Sequence, residues 1–199
     1  NPIMLSIILS SLAMGTIITM SSSHWLFAWI GLELNTLAII PIIAMQHHPR
    51  ATEAATKYFL TQAAASATLL FASTMNAWST GTWDITQLTN KHACTMLTLA
   101  LSMKLGLAPL HFWLPEVLQG TSLNTALLIT TWQKLAPVSL LYLTHNTINP
   151  SMFLTMGLLS TIIGGWGGLN QTQTRKIMAF SSIAHLGWMA AITTMNPDI

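Results

Sequence analysis

The 199 residues include 7 Lys or Arg and 5 Asp or Glu, a charged fraction of 6%, against 52% hydrophobic residues and a mean hydropathy of +0.56. A soluble domain carries about a quarter charged residues, so the composition excludes both an aqueous enzyme and a disordered chain and points to a lipid bilayer. The net charge of +2 is too small and scattered for a nucleic-acid partner, and the single cysteine, Cys94, excludes a disulfide framework, a Cys-rich zinc site and an iron–sulfur cluster ligated within the chain.

Residues 1–32 carry no formal charge, and neither do 58–83, 135–174 or 177–197. Several of these runs exceed the ~20 residues that a spanning helix needs. No basic n-region precedes the first run and no Arg-rich amphipathic stretch is present, so that run reads as a span and not as a secretory signal or transit peptide. In chain order, the apolar runs and their turn residues predict seven helices, over 3–21, 24–46, 54–78, 93–118, 122–144, 151–169 and 176–195. Barrel-type alternation is absent, and backbone satisfaction in lipid then leaves an all-α, polytopic transmembrane bundle. The many Ser and Thr inside the runs fit this reading, because their hydroxyls can bond a carbonyl of the preceding turn. If the N-terminus lies on side A, that side collects Arg50 with nearby Lys57, then Arg175 and Lys176, while side B has Lys91 beside Asp84, and Asp198. The basic excess places the N-terminus on the cytoplasm-like face, which in a mitochondrion is the matrix.

Three ionisable residues fall deep inside the predicted helices. A rise of 1.5 Å per residue places Glu33 ~14 Å into the second helix, Lys104 ~16 Å into the fourth and Lys134 ~18 Å into the fifth. All three lie near the middle of a core ~30 Å thick, where each charge costs at least ~2.5 to 3.5 kcal/mol on insertion scales. A structural ion pair locking helices together is the plain reading. A proton relay is the sharper one, since a desolvated amine gives up its proton more readily than one in water. His185, ~14 Å into the seventh helix, extends the same row, and a core histidine bonded to a carbonyl is the alternative there.

The segment 104–115, KLGLAPLHFWLP, holds a second signal. Pro109 and Pro115 each remove a helical hydrogen bond, so the helix carrying Lys104 is expected to be broken there, with His111 inside the break. Irregular backbone at membrane depth is tolerated only beside protein or a water-filled cavity, and broken helices mark ion sites in transporters. Pro137 similarly frees the carbonyl of Gln133, next to Lys134. Elsewhere, His47, His48 and Arg50 read as a polar loop and not a metal site, Gly164 and Gly168 fit a small-xxx-small helix seam, and Cys94 and the 12 Met residues read as packing.

The strings HWLFAWIGLELN (24–35), TEAATKYFLTQAAAS (52–66), MKLGLAPLHFWLPEVLQGT (103–121), TWQKLAPVS (131–139) and GGLNQTQTRKIMAFSSIAHLGWM (167–189) resemble the antiporter-like membrane-arm subunits of vertebrate mitochondrial NADH:ubiquinone oxidoreductase, respiratory complex I, along the whole chain. These subunits are relatives of bacterial cation/proton antiporters. The resemblance implies two inverted five-helix repeats, each with a broken helix, so that 1–145 would form the first repeat and 146–199 the first two helices of a second. Family members continue beyond the position of Ile199 and start with Met where this chain has Asn1. The family's midmembrane Glu matches Glu33, the Lys of its broken helix matches Lys104, and the Lys of the next helix matches Lys134.

The implied function is proton translocation across the mitochondrial inner membrane, coupled to electron transfer from NADH to ubiquinone. The implied setting is a hetero-oligomer of membrane-arm subunits in a lipid bilayer, without nucleic acid. No cofactor is expected in this chain, and NADH, FMN, iron–sulfur clusters and ubiquinone would act elsewhere in the complex. A scaffold subunit without its own proton path and a stand-alone cation/proton antiporter are the rival readings. A relay needs waters or polar side chains between its members, whereas a scaffold needs only dry contacts.

Overall fold

The computed structural model describes residues 2–195, which are helical with short connections. The helices are α1 (Pro2–Ser21), α2 (Trp25–Ala44), α3 (Pro49–Thr80), α4 (Lys91–Leu105), α5 (Trp113–Gly120), α6 (Leu123–Thr130), α7 (Trp132–Leu143), α8 (Pro150–Leu169) and α9 (Thr174–Met195). Asn1 and Asp198, the latter assigned to side B from sequence, lie outside the described residues. Helix starts follow local chemistry. His48 caps α3 by accepting the Arg50 N–H at Nδ1, with Pro49 in the first turn, and Ser122 caps α6 by accepting the Thr125 N–H.

Among the described residues nine helices replace the seven expected, and both extra boundaries have backbone causes. The predicted helix 93–118 ends at Leu105, where Gly106 takes a left-handed φ of 79° and its N–H bonds the Ser102 carbonyl. Residues 107–112 are irregular before α5 begins at Trp113, so the break expected between Lys104 and Pro115 is present. Pro115 sits in the first turn of α5, where a missing N–H costs nothing. The predicted helix 122–144 is interrupted at Thr131, not at Pro137 itself. A proline's ring presses on the carbonyl four residues earlier, so its strain falls on the preceding turn. Among the described residues five stretches are long and apolar enough to cross a membrane: α1, α2, α6 with α7, α8 and α9. Seven spans is therefore an approximate count, since α4 and α5 are short and α3, at 32 residues, is long but less apolar.

The pairs α1–α2 and α8–α9 pack through glycine. A Cβ on Gly15 of α1 would stand 2.9 Å from the Gly31 carbonyl of α2, and one on Gly164 of α8 would stand 2.6 Å from the Ala184 nitrogen of α9. Neither position admits a larger residue without separating the helices. Of the expected seam, Gly164 is at close quarters, while Gly168 meets only ordinary contact with Phe180 at 3.6 Å. Gly157 and Gly187 complete the seam instead.

The apolar core is divided in two. One cluster joins Trp25, Leu32, Leu69, Leu101, Leu105 and Leu140 towards side B. The other joins Ile39, Tyr58, Trp113, Leu118, Ile129 and Ile183 towards side A. On α2, α3, α7 and α9 the residues between the two clusters include Glu33 and Asn35, Gln62 and Ser66, Gln133 and Lys134, and His185. A polar belt thus crosses the bundle at mid-depth.

Candidate functional site

Lys104 is the penultimate residue of α4, 6% exposed, so the break ends the helix just where its side chain leaves it. The position lies at the negative end of the helix dipole. Its ammonium donates to Ser66 Oγ on α3 at 2.8 Å, and its carbonyl is within 3.5 Å of Gln62 Nε2, one turn earlier on the same face of α3. Lys134, near the start of α7, donates from Nζ to Ser182 Oγ on α9. Each midplane lysine therefore meets one neutral hydroxyl. Among the described residues the ion pairs are those of Lys57 with Glu53 and Glu116, so no pair joins Glu33 to either buried lysine.

Both lysines line one small cavity. Its walls include Asn35, Thr36, Tyr58, Gln62, Gln133 and Pro137, and its volume of about 20 Å³ is room for roughly one water. Pro137 lies on this wall, and its missing N–H removes the helical bond to the Gln133 carbonyl, beside Lys134. The Gln133 amide reaches the Asn35 carbonyl at 3.3 Å and ties α7 to α2. Lys134 also borders a second, open groove of about 370 Å³, shared with Thr130, Ser181, Ser182 and His185. It therefore stands between the small cavity holding Lys104 and a wider groove holding His185.

Glu33 lies on α2 beside this cavity but does not line it. One carboxylate oxygen, Oε2, is buried without a hydrogen-bond partner, as are both polar atoms of the Asn35 amide. An unpartnered buried carboxylate oxygen is costly in a site that only needs stability. Of the remaining sequence candidates, His111 falls in the break, 4% exposed, its ring tilted against Phe112 with centroids 4.3 Å apart, and does not reach the Lys104 cavity. Its Nδ1 has no partner. His185 faces outward on α9, so the midplane row continues from Lys134 into the open groove and not through the packed interior.

Sequence reasoning passed over Ser66, Ser182, Gln62, Gln133, Asn35 and Tyr58. The serines were read as self-satisfied, and most Ser and Thr here do bond a carbonyl three or four residues back, as Thr36, Thr68 and Ser73 do. Ser66 and Ser182 instead receive lysine protons. The legible signal was Gln62 and Ser66 at i and i+4, a polar pair on one helix face inside an uncharged run. The break is also secured from outside its own helix: the Ala108 N–H donates to Ser160 Oγ on α8 at 2.8 Å, and Trp113 Nε1 donates to the Met103 carbonyl at 3.1 Å.

Residues 22–198 match the profile of the NADH:quinone oxidoreductase/Mrp antiporter transmembrane family. The whole chain is 64% identical to an NADH-ubiquinone oxidoreductase chain 2 from Salmo salar and 66% identical to one from Varanus melinus, of which it covers 57% and 58%. It thus spans somewhat more than half the length of these curated relatives. The fold is similar to that of a chain in respiratory complex I from Thermus thermophilus, with a TM-score of 0.86 and 29% identity over 92% of this chain and 43% of that one. A chain of the Mrp complex from Dietzia, 16% identical, shares the fold with a TM-score of 0.88 over 94% of this chain and 39% of its own.

Proposed function

The chain belongs to the NADH:quinone oxidoreductase/Mrp antiporter transmembrane family, and from that premise we propose that it forms part of a proton-translocating membrane subunit of an NADH:ubiquinone oxidoreductase. One observation carries this reading: Lys104 and Lys134 share a cavity the size of a single water, and each is held by a hydroxyl with no carboxylate. A lysine bonded to a serine can lose its proton without leaving a buried anion behind. One bound in an ion pair cannot.

The relay runs from Lys104 to Lys134. An N–H bond of the Lys104 ammonium breaks, the proton crosses the cavity by way of one water, and a new N–H bond forms on the neutral Lys134 amine. Glu33 sets the balance, because moving its carboxylate toward or away from Lys104 raises or lowers the cost of the charge there. From Lys134 the proton leaves by Ser182 into the groove where His185 stands. Residues 1–145 act as the first of two repeats and 146–199 begin the second. The subunit sits in the mitochondrial inner membrane with its N-terminus in the matrix, against other membrane-arm subunits. NADH, FMN, iron–sulfur clusters and ubiquinone act elsewhere in that assembly.

The test is a pair of variants in the assembled complex. Lys104→Ala should depress proton pumping and coupled quinone reduction while leaving NADH oxidation by artificial acceptors intact. Lys104→Arg keeps the charge but holds its proton, so it should be nearly as harmful. A scaffold predicts the reverse, with Arg tolerated and Ala lost at assembly.

A further inference from the structure

On side A the start of α3, the end of α5 and the start of α9 meet around a depression of about 400 Å³, lined by Arg50, Glu53, Lys57, Glu116, Gln119 and Lys176. Three cations face two anions, and the two anions are already engaged. Lys57 Nζ lies 2.6 Å from Glu53 and 2.7 Å from Glu116. Neighbouring Arg175 donates to the Gln119 carbonyl at 3.3 Å. Arg50 and Lys176 have no ion pair or side-chain hydrogen bond, although the Arg50 charge reaches Glu53. The Glu53 carboxyl is held below the usual carboxylate range chiefly by its hydrogen bond from Lys57.

We infer that this depression binds the phosphate of an anionic phospholipid headgroup between Arg50 and Lys176. Two independent observations meet there. The first is charge: once Lys57 has neutralised part of each glutamate, the two uncommitted cations leave the depression attractive to one anion. The second is place. Helices α3 and α9 begin at the site and α5 ends there, so it lies at the bundle's end, at headgroup depth. Ile177, next to Lys176, and Leu60, further along α3, are exposed for acyl chains to cover. The N-termini of α3 and α9 add to the positive field and the C-terminus of α5 subtracts from it, so two helix ends favour an anion against one that does not. A free anion would gain nothing from the flanking apolar side chains, which is why a lipid is the better occupant. Glu53 and Glu116 serve to shape the site by fixing Lys57 across α3 and α5.

The test uses the assembled complex in phosphatidylcholine vesicles containing a small fraction of spin-labelled phosphatidylglycerol, or of spin-labelled phosphatidylcholine as the control. The unmodified complex should immobilise the anionic label preferentially. R50Q/K176Q should lower that preference on the order of thirtyfold, at roughly 1 kcal/mol for each cation removed near a membrane surface. R50K/K176R should retain it. Where the double variant fails to assemble, R50Q alone, altering an exposed side chain, should still lower the preference about fivefold. An unchanged preference in R50Q/K176Q overturns the inference. Displacement of the label by inorganic phosphate assigns the site to a free anion and overturns it too. Protection of the Lys176 amine from acylation in delipidated complex, unaltered by added phosphatidylglycerol, would place a neighbouring protein there and overturn it as well.

Discussion

Lys57 and Lys104 lie on neighbouring helices and are treated in opposite ways. Lys57, at the side A surface with its side chain 41% exposed, holds two glutamates at 2.6 and 2.7 Å. Lys104, buried at mid-depth, holds one serine at 2.8 Å, and Lys134 likewise holds one serine. Charge is paired where water already lowers its cost and left unpaired where the cost is highest. The reverse would serve stability, because a buried cation without a carboxylate gains less than its desolvation takes. Under the proposed function, the difference separates two uses of a lysine: a fastener between α3 and α5 at the surface, and a proton holder in the belt between the two apolar clusters.

The strongest way to break that distinction is to neutralise one lysine of each kind in the assembled complex. Lys134→Met should reduce proton pumping at least tenfold, whereas Lys57→Met should leave pumping within about twofold, because an exposed ion pair contributes little to stability. Proton uptake into vesicles during NADH oxidation measures both. Equal losses would mean that the buried lysines are fasteners as well.

A smaller effect is expected at the break that delivers Lys104 to the cavity. Ser160→Ala leaves the buried Ala108 N–H without its acceptor, a change of about 1 to 3 kcal/mol. Hydrogen exchange of the segment 106–112 should accelerate on the order of tenfold or more, since each 1.4 kcal/mol is a factor of ten. Unaltered exchange would mean that Gly106 and the prolines hold the break unaided.

Much of this arrangement was written in local chemistry. Charge-free runs located most of the long apolar helices, the two prolines located the break, and helical rise put Glu33, Lys104 and Lys134 at one depth. What the sequence withheld depends on which way each helix turns. Ser66 and Ser182 are indistinguishable by type from the many serines that bond their own helix, and only the packing of α3 on α4 and of α7 near α9 makes them lysine partners. His185 shares the depth of the row yet points to the groove, because depth follows from residue count whereas facing depends on the neighbouring helix. The glycine seam misled in the same way: Gly157 and Gly187 become contacts only once α8 and α9 cross.

Removing a hydroxyl partner sharpens the comparison further. Ser66→Ala and Ser182→Ala should each slow pumping a few-fold without abolishing it, because a water entering beside either lysine can replace a hydroxyl as acceptor. Assembly should be unaffected. A full loss in either variant would make the serine an obligatory carrier.

The smallest effect belongs to the surface cluster. Glu53→Gln removes one of the two acceptors of Lys57 but leaves Glu116, so thermal stability of the complex at neutral pH should barely change and any change should shrink with added salt. The pH dependence has a definite sign. The folded-state carboxyl of Glu53 titrates below its ordinary value because Lys57 hydrogen-bonds it. Its contribution is therefore fully present above the unfolded value, falls as the pH drops through the lowered folded value, and vanishes below both. The small advantage of the unmodified complex over Glu53→Gln should accordingly disappear on acidification, in melting curves recorded from neutral to acid pH at low salt. Pumping should be the same in both at neutral pH. A pumping defect in Glu53→Gln as deep as that of Lys134→Met would show that the side A cluster and the midplane belt act as one charge system, and would end the distinction between fastened and poised lysines.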